Sequence, residues 1–144
     1  MRVMVLASFD ILHYGHMALL KFAKQLAGDD ELVIALNTDA FIEQFKGHKP
    51  ALNYDERKKT LLSLPWVSRV VENRQPRLNA GAIMVREGIS MVVSGSDWLE
   101  KDLLKQWGVT LDWLNKAGIS VCFFPFYETQ FISSTIIKER VRSV

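Results

Sequence analysis

Two of the three histidines, His13 and His16, stand three residues apart around Gly15, where a helical pattern begins. A helix N-terminus presents unpaired N–H groups and a partial positive charge, so it can hold phosphate. Each imidazole can donate a hydrogen bond to a phosphate oxygen, and Gly15 lets a ligand or another backbone approach closely. One histidine capping the helix and the other packing in the core would account for the same spacing. Arg57 is a second candidate. It follows Asn53-Tyr54-Asp55-Glu56, a helix-start box with Asn53 as cap and Glu56 three residues on. A cation in the first turn opposes the helix dipole, so either an anionic ligand or an ion pair with Asp55 or Glu56 must offset it. No serine or cysteine is paired with a base in the manner of acyl transfer.

The elements that must carry these residues alternate from the start. Val3–Ala7 is a continuous apolar run, as in a strand covered on both faces. Leu19, Phe22, Ala23 and Leu26 give helical spacing from His16 to Ala27, and Gly28 stops it. Strands are predicted at Leu32–Leu36, Val67–Val71, Ile89–Val93 and Ile119–Phe124. Helices are predicted from Asn53 to about Ser63, over Asn79–Glu87 and Val109–Lys116, and finally over Ser133–Arg142. Repeated strand–helix–strand units imply an α/β fold with a parallel sheet and right-handed crossovers. In such a sheet the ligand lies at the carboxyl ends of the strands.

Composition bounds the rest. The 144 residues read as one domain, 1–144, with no linker or repeat. Hydrophobic residues make up 49% and charged residues 24%, which excludes a disordered chain or a coiled coil. Eighteen Lys and Arg against sixteen Asp and Glu leave a formal charge of +2, too small a bias to suggest a nucleic-acid partner. The lone cysteine, Cys122, cannot pair within the chain, and no Cys/His cluster has zinc spacing. No apolar run is long enough for a signal peptide or a membrane span. A soluble, cytoplasmic protein is expected.

The segment Ser8-Phe9-Asp10-Ile11-Leu12-His13-Tyr14-Gly15-His16 resembles the His-x-Gly-His signature of the cytidylyltransferase-like nucleotidyltransferases. Four further segments resemble that family in order: Phe45-Lys46-Gly47, Tyr54-Asp55-Glu56-Arg57, Gly95-Ser96-Asp97-Trp98 and Ile132-Ser133-Ser134-Thr135. The third of these is similar to the Gly-Asp-Asp-Trp loop of the glycerol-3-phosphate enzymes. The resemblance runs from Val3 to about Arg140. It implies a Rossmann-like sheet of about five strands and transfer of a nucleotidyl group to a phosphomonoester acceptor. The acceptor attacks the α-phosphate in line and pyrophosphate leaves. Such chemistry needs positioning and charge neutralisation more than a nucleophile.

The resemblance also implies residue roles. His13, His16, Lys46 and Arg57 are the catalytic set, with Lys46 carried on a mobile loop. The nucleotide falls to Ala7, Ser8, Phe9, Asp10, Gly15, Gly95, Asp97, Trp98, Ile132, Ser133, Ser134 and Thr135. Asp10 and Asp39 serve the acceptor. Mg2+ enters with the triphosphate rather than through a side-chain cluster, and the protein is a homodimer. Trp66, Trp107, Trp113, His48 and Cys122 read as structural. At the helix start Ser133–Thr135, one hydroxyl is expected merely as a cap.

Two departures stand out. Where the glycerol-3-phosphate enzymes carry Arg-Thr-Glu-Gly, this chain has Glu128-Thr129-Gln130-Phe131, a reversal of charge at the first position. Lys138 or Arg140 could supply the missing cation. The stretch from Leu99 to Asp112 is also longer than the smallest members need, enough to reshape the acceptor pocket or an interface. Three readings follow. The first is a cytidylyltransferase using CTP and a small phosphorylated alcohol or amino alcohol. The second is an adenylyltransferase using ATP and a sugar phosphate, similar to the heptose-phosphate enzymes. The third is a non-catalytic nucleotide-binding protein of the same fold.

Overall fold

The computed structural model describes residues 1–74, 79–96, 102–125 and 132–144. The chain runs β1 (Val3–Ala7), α1 (Tyr14–Ala27), β2 (Leu32–Asn37), α2 (Asp39–Lys46), α3 (Tyr54–Leu62), β3 (Arg69–Asn73), α4 (Ala80–Arg86) and β4 (Met91–Gly95). It continues with α5 (Leu103–Trp107), α6 (Leu111–Ala117), β5 (Ser120–Phe124) and α7 (Ser134–Arg142). The strands form one parallel sheet in the order β3-β2-β1-β4-β5. This is the α/β, Rossmann-like fold expected. No helix among the described residues is long and apolar enough to cross a membrane.

The apolar runs of β1 and β2 have the composition that two covered faces require. Val3, Val5, Leu32, Ile34 and Leu36 point to the face packed by Leu19, Leu20 and Ala23 of α1 and Leu61 of α3. Met4, Val33, Ala35 and Val92 point to the other, against Ile83 and Met84 of α4, Trp107 of α5 and Leu114 of α6. The period-2 alternation of a strand thus divides the core into two layers.

Two expected strands begin two residues late. Val67 and Ile89 are buried core residues, but their N–H groups turn back to Leu64 O and Met84 O. They satisfy the apolar pattern as connectors, and the ladders start at Arg69 and Met91. The shift matters at the other end, because it carries Asn73 and Gly95 to the carboxyl edge of the sheet.

Strand order reverses between β1 and β4, the switch point where α/β sheets open a ligand crevice. Along β1, the ladder to β2 continues through Ala7↔Leu36. The ladder to β4 pairs only Val3↔Met91 and Met4↔Val92. The carboxyl halves of β1 and β4 therefore part, and the space above them is the cavity described next.

Candidate active site

A cavity of about 450 Å³ opens at this edge. Of the expected residues, Ala7, Ser8, Phe9, Asp10, His16, Lys46 and Ser134 line it. The calls on Asp97, Trp98, Glu128 and Phe131 lie outside the described residues.

The turn after β1 is shaped by Phe9, whose φ of 44° is unusual for a bulky residue. The strain is held in place by burial, since Phe9 is 2% exposed and its ring meets His16 edge-on at 5.1 Å. His13 is the N-cap of α1, and its Nδ1 accepts from the Gly15 N–H at 3.1 Å. An accepting Nδ1 bears no proton, so the neutral ring keeps its hydrogen on Nε2. His13 then stacks on His16 with ring centroids 3.7 Å apart. Gly15 makes room for this arrangement: a Cβ there would lie 2.9 Å from His13 Cε1 and 3.3 Å from Ile132 Cγ2. Its openness serves two side chains, and Ile132 is thereby packed on the start of α1.

His16 is surrounded by positive potential. Burial lowers its pKa first, and a proton on His13 and the charge of Lys46 lower it further, to about 3, with the Ile11 backbone opposing in part. Its Nδ1 is buried without a hydrogen-bond partner. Burial also lowers the His13 pKa. Two imidazoles, a lysine and a helix N-terminus converging on one place form a site for an anion. The acid side of stability should record it. The folded-state pKa of His16 lies below its ordinary 6.5, so the unfolded chain binds the extra proton between these values. That stabilisation is complete above pH 6.5 and is lost as pH falls toward about 3. In urea titrations across this window, His16→Ala should show a shallower loss of stability than the parent; parallel slopes would contradict the burial of a neutral ring.

Lys46 corrects an expectation. It does not ride a loop: it sits in the last turn of α2, a helix the sequence reading did not resolve. Thr38 caps this helix, accepting from Phe41 N, and Gly47 closes it at φ 77°. The end of this helix brings the lysine to the cavity, with Nζ 5.6 Å from the Phe45 ring centre.

Arg57 departs further. It is 1% exposed and is not among the cavity-lining residues. Nε donates to Leu52 O, Nη1 to Ser8 O and Asn37 O at 2.8 Å each, and Nη2 to Asp39 Oδ1 at 2.6 Å. Its ion pair is with Asp39, not with Asp55 or Glu56. The guanidinium ties together the ends of β1 and β2, the loop before α3 and the start of α2. It is a positioning residue, and Asp39, expected at the acceptor, is the other half of this clamp.

Asp10 is also occupied. Its two oxygens accept from Ala51 N and Leu52 N at 2.8 Å, and Lys138 of α7 pairs with one of them. Burial pushes this carboxyl up, but Lys138 and the two N–H groups outweigh it and hold the pKa below the usual value. Lys138, one of the two cations considered as compensation for Glu128, therefore stands at the mouth of β1. The three hydroxyls before and in α7 divide their work. Ser133 caps the helix by accepting from Ile136 N, Ser134 lines the cavity, and Thr135 is exposed on a neighbouring groove. Gly95 is the last residue of β4, paired with Phe124.

Several cavity residues had escaped the sequence reading. Asn37 and Asn73 are register partners at the ends of β2 and β3. Phe41 and Phe45 come from α2, while Leu103, Gln106 and Trp107 come from α5. Trp107, read as structural, is both a core residue and part of the wall. Within the stretch from Leu99 to Asp112, α5 supplies part of the cavity wall.

The cytidylyltransferase-like family model matches residues 4–140. The chain is 34% identical over 140 residues to a glycerol-3-phosphate cytidylyltransferase of Bacillus subtilis (strain 168), spanning 97% of this chain and 96% of that one. It is 34% identical over 109 residues to an FAD synthase of Korarchaeum cryptofilum (strain OPF8), spanning 73% and 74%. Among solved structures, the lipopolysaccharide core biosynthesis protein from Thermoplasma volcanium GSS1 superposes with a TM-score of 0.66 at 27% identity, covering 86% of this chain and 93% of that one.

Proposed function

Since the chain belongs to the cytidylyltransferase-like family of nucleotidyltransferases, we propose that it transfers CMP from CTP to a small phosphorylated alcohol such as glycerol 3-phosphate. The observation that carries the reading is the electropositive cluster at the carboxyl edge: His16 stacked on His13 at the start of α1, facing Lys46. An acceptor phosphate oxygen forms the new bond to the α-phosphorus of CTP. The bond to the β-phosphate breaks, and pyrophosphate leaves with the electron pair. His13, through Nε2–H, and His16 donate to the phosphate oxygens, and Lys46 neutralises charge from the end of α2. The polyphosphate draws a proton onto His16 by opposing the surrounding positive charge. Ser8, the hydroxyl nearest the turn, accepts a hydrogen bond from Asn37 Nδ2, which suits a spectator rather than a nucleophile.

Among the described residues no three His, Cys, Asp or Glu side chains gather as a metal-holding group. Asp10 and Asp39 are engaged by Lys138 and Arg57. Mg2+ in this reading is carried by the triphosphate oxygens, where it supplies charge neutralisation.

The choice of CTP rests on the 97% span matched by the glycerol-3-phosphate cytidylyltransferase. The likeness to an FAD synthase, an enzyme whose product contains adenine, supports the ATP of a second reading, whose sugar-phosphate acceptor rests on the resemblance to the heptose-phosphate enzymes. Melting the protein with Mg2+ and each of CTP, ATP, GTP and UTP separates them. A ligand at about 100 times its Kd adds about 2.7 kcal/mol, and CTP alone should give that shift, followed by pyrophosphate release with glycerol 3-phosphate. A shift with ATP alone would replace the first reading by the second. CTP binding without turnover on any phosphorylated acceptor would leave a nucleotide-binding protein and overturn both.

A further inference from the structure

One half of the cavity lies across β1 from β4 and α7, away from the elements to which the nucleotide is assigned. Asn37 and Asn73 end the two strands there. They form a directed chain: Asn73 Nδ2 donates to Asn37 Oδ1 at 2.9 Å, and Asn37 Nδ2 donates to Ser8 Oγ at 3.0 Å. This chain leaves Asn73 Oδ1 buried and without a partner. Asn73 is 2% exposed and lines the cavity. A buried amide oxygen left unpaired beside a cavity is a vacancy for a donor. The charges around it define which donor fits. Among the described lining residues the only carboxylate is Asp10, already engaged by Lys138, Ala51 N and Leu52 N. Lys46 holds its ammonium by the Phe45 ring, so the aromatic wall already faces a cation. Among these described residues a second, ligand-borne cation finds no unengaged carboxylate, whereas a neutral hydroxyl finds an acceptor.

We infer that Asn73 is a specificity-determining residue of the acceptor site, accepting through Oδ1 from a hydroxyl of a neutral polyol phosphate whose phosphate faces Lys46. The inference rests on the transferase reading above and narrows its acceptor to polyol over amino-alcohol phosphates.

The test compares glycerol 3-phosphate, 3-hydroxypropyl phosphate (the same chain without the middle hydroxyl) and phosphocholine, in wild type and Asn73→Ala. Wild type should favour glycerol 3-phosphate over the deoxy analogue by roughly tenfold or more in kcat/KM, since a site built to bond a hydroxyl rejects the analogue lacking it. Phosphocholine should be the poorest acceptor. Asn73→Ala should bring the first two acceptors together by raising the KM for glycerol 3-phosphate, with the KM for CTP unchanged. Asn73→Ser, which replaces the amide donor toward Asn37 by a hydroxyl and removes Oδ1, gives the same comparison if the alanine variant does not fold. Parallel losses on both acceptors, a change in the KM for CTP alone, or good use of phosphocholine would overturn the inference while leaving the transferase reading intact. If the wild type instead joins ATP to a sugar phosphate, the CTP reading falls. Asn73 is then judged on that sugar phosphate and its deoxy analogues. Absence of transfer to any hydroxylated phosphate would end both.

Discussion

His16→Ala should lower kcat by about 10²–10³-fold or more, the effect of deleting one preorganised donor to a developing oxyanion, yet leave the protein folded. The two halves of this expectation have one cause. In the folded chain the His16 ring is held neutral between His13 and Lys46, with its Nδ1 buried and unpaired. The buried Nδ1 gives up its solvation without gaining a partner, so truncation removes that cost along with the packing against Phe9. The two terms oppose, and the melting temperature should move by only a few degrees. Triphosphate reverses the balance: the positive surroundings that burden the empty site become the means of binding charge. The measurement is pyrophosphate release at saturating substrates beside a thermal melt. Retention of most activity would remove His16 from the reaction, and a collapsed melt would make it a structural residue.

Arg57→Met should do the opposite and act first on stability. The buried guanidinium serves carbonyls from Ser8, Asn37 and Leu52 and the Asp39 carboxylate. Methionine fills similar space but leaves those acceptors without their donor. Removing one partner of a buried charged network costs about 3–5 kcal/mol. The Asp39 side chain is 40% exposed, so the lost ion pair is partly replaced by water and most of the cost falls on the carbonyls. A chain of this length should lose roughly 10–15 °C in Tm. Arg57→Lys should recover little, because one ammonium cannot fork to four acceptors. Any activity lost at low temperature should accompany local disorder around the α2–α3 loop. A variant that melts with the parent but does not bind triphosphate would place Arg57 on the ligand and refute the clamp.

The sheet was legible because its central strands β1 and β2 are apolar on both faces and its helix ends carry strong local signals. The Asn53 and Glu56 capping box forms as read, and Gly28 ends α1. The same local logic put His13 at a helix start and one cap among Ser133, Ser134 and Thr135, which is Ser133, while the family resemblance singled out His16, Lys46 and Ser134, all three of which line the cavity. Short elements were less legible. α2 and α5, with eight and five residues, span too few turns for a helical period to stand out. Overlooking them turned Lys46 into a loop residue and hid the Phe41, Phe45 and Trp107 wall.

Sequence alone determined the order of the five strands and the longer helices, the α/β class and the family, because each depends on residues near one another in the chain or on motifs in fixed order. Only the tertiary structure decided which polar groups line the cavity and which are paired within the protein. Arg57 and Asp10 carry charges suited to phosphate, but partners 18 to 128 residues away claim them. Asn73 looks unremarkable in sequence, and a two-residue shift in the start of β3 carries it to the sheet edge with one oxygen unpaired. A side chain's charge is local information. Whether that charge is already neutralised depends on distant segments that meet only when the chain folds.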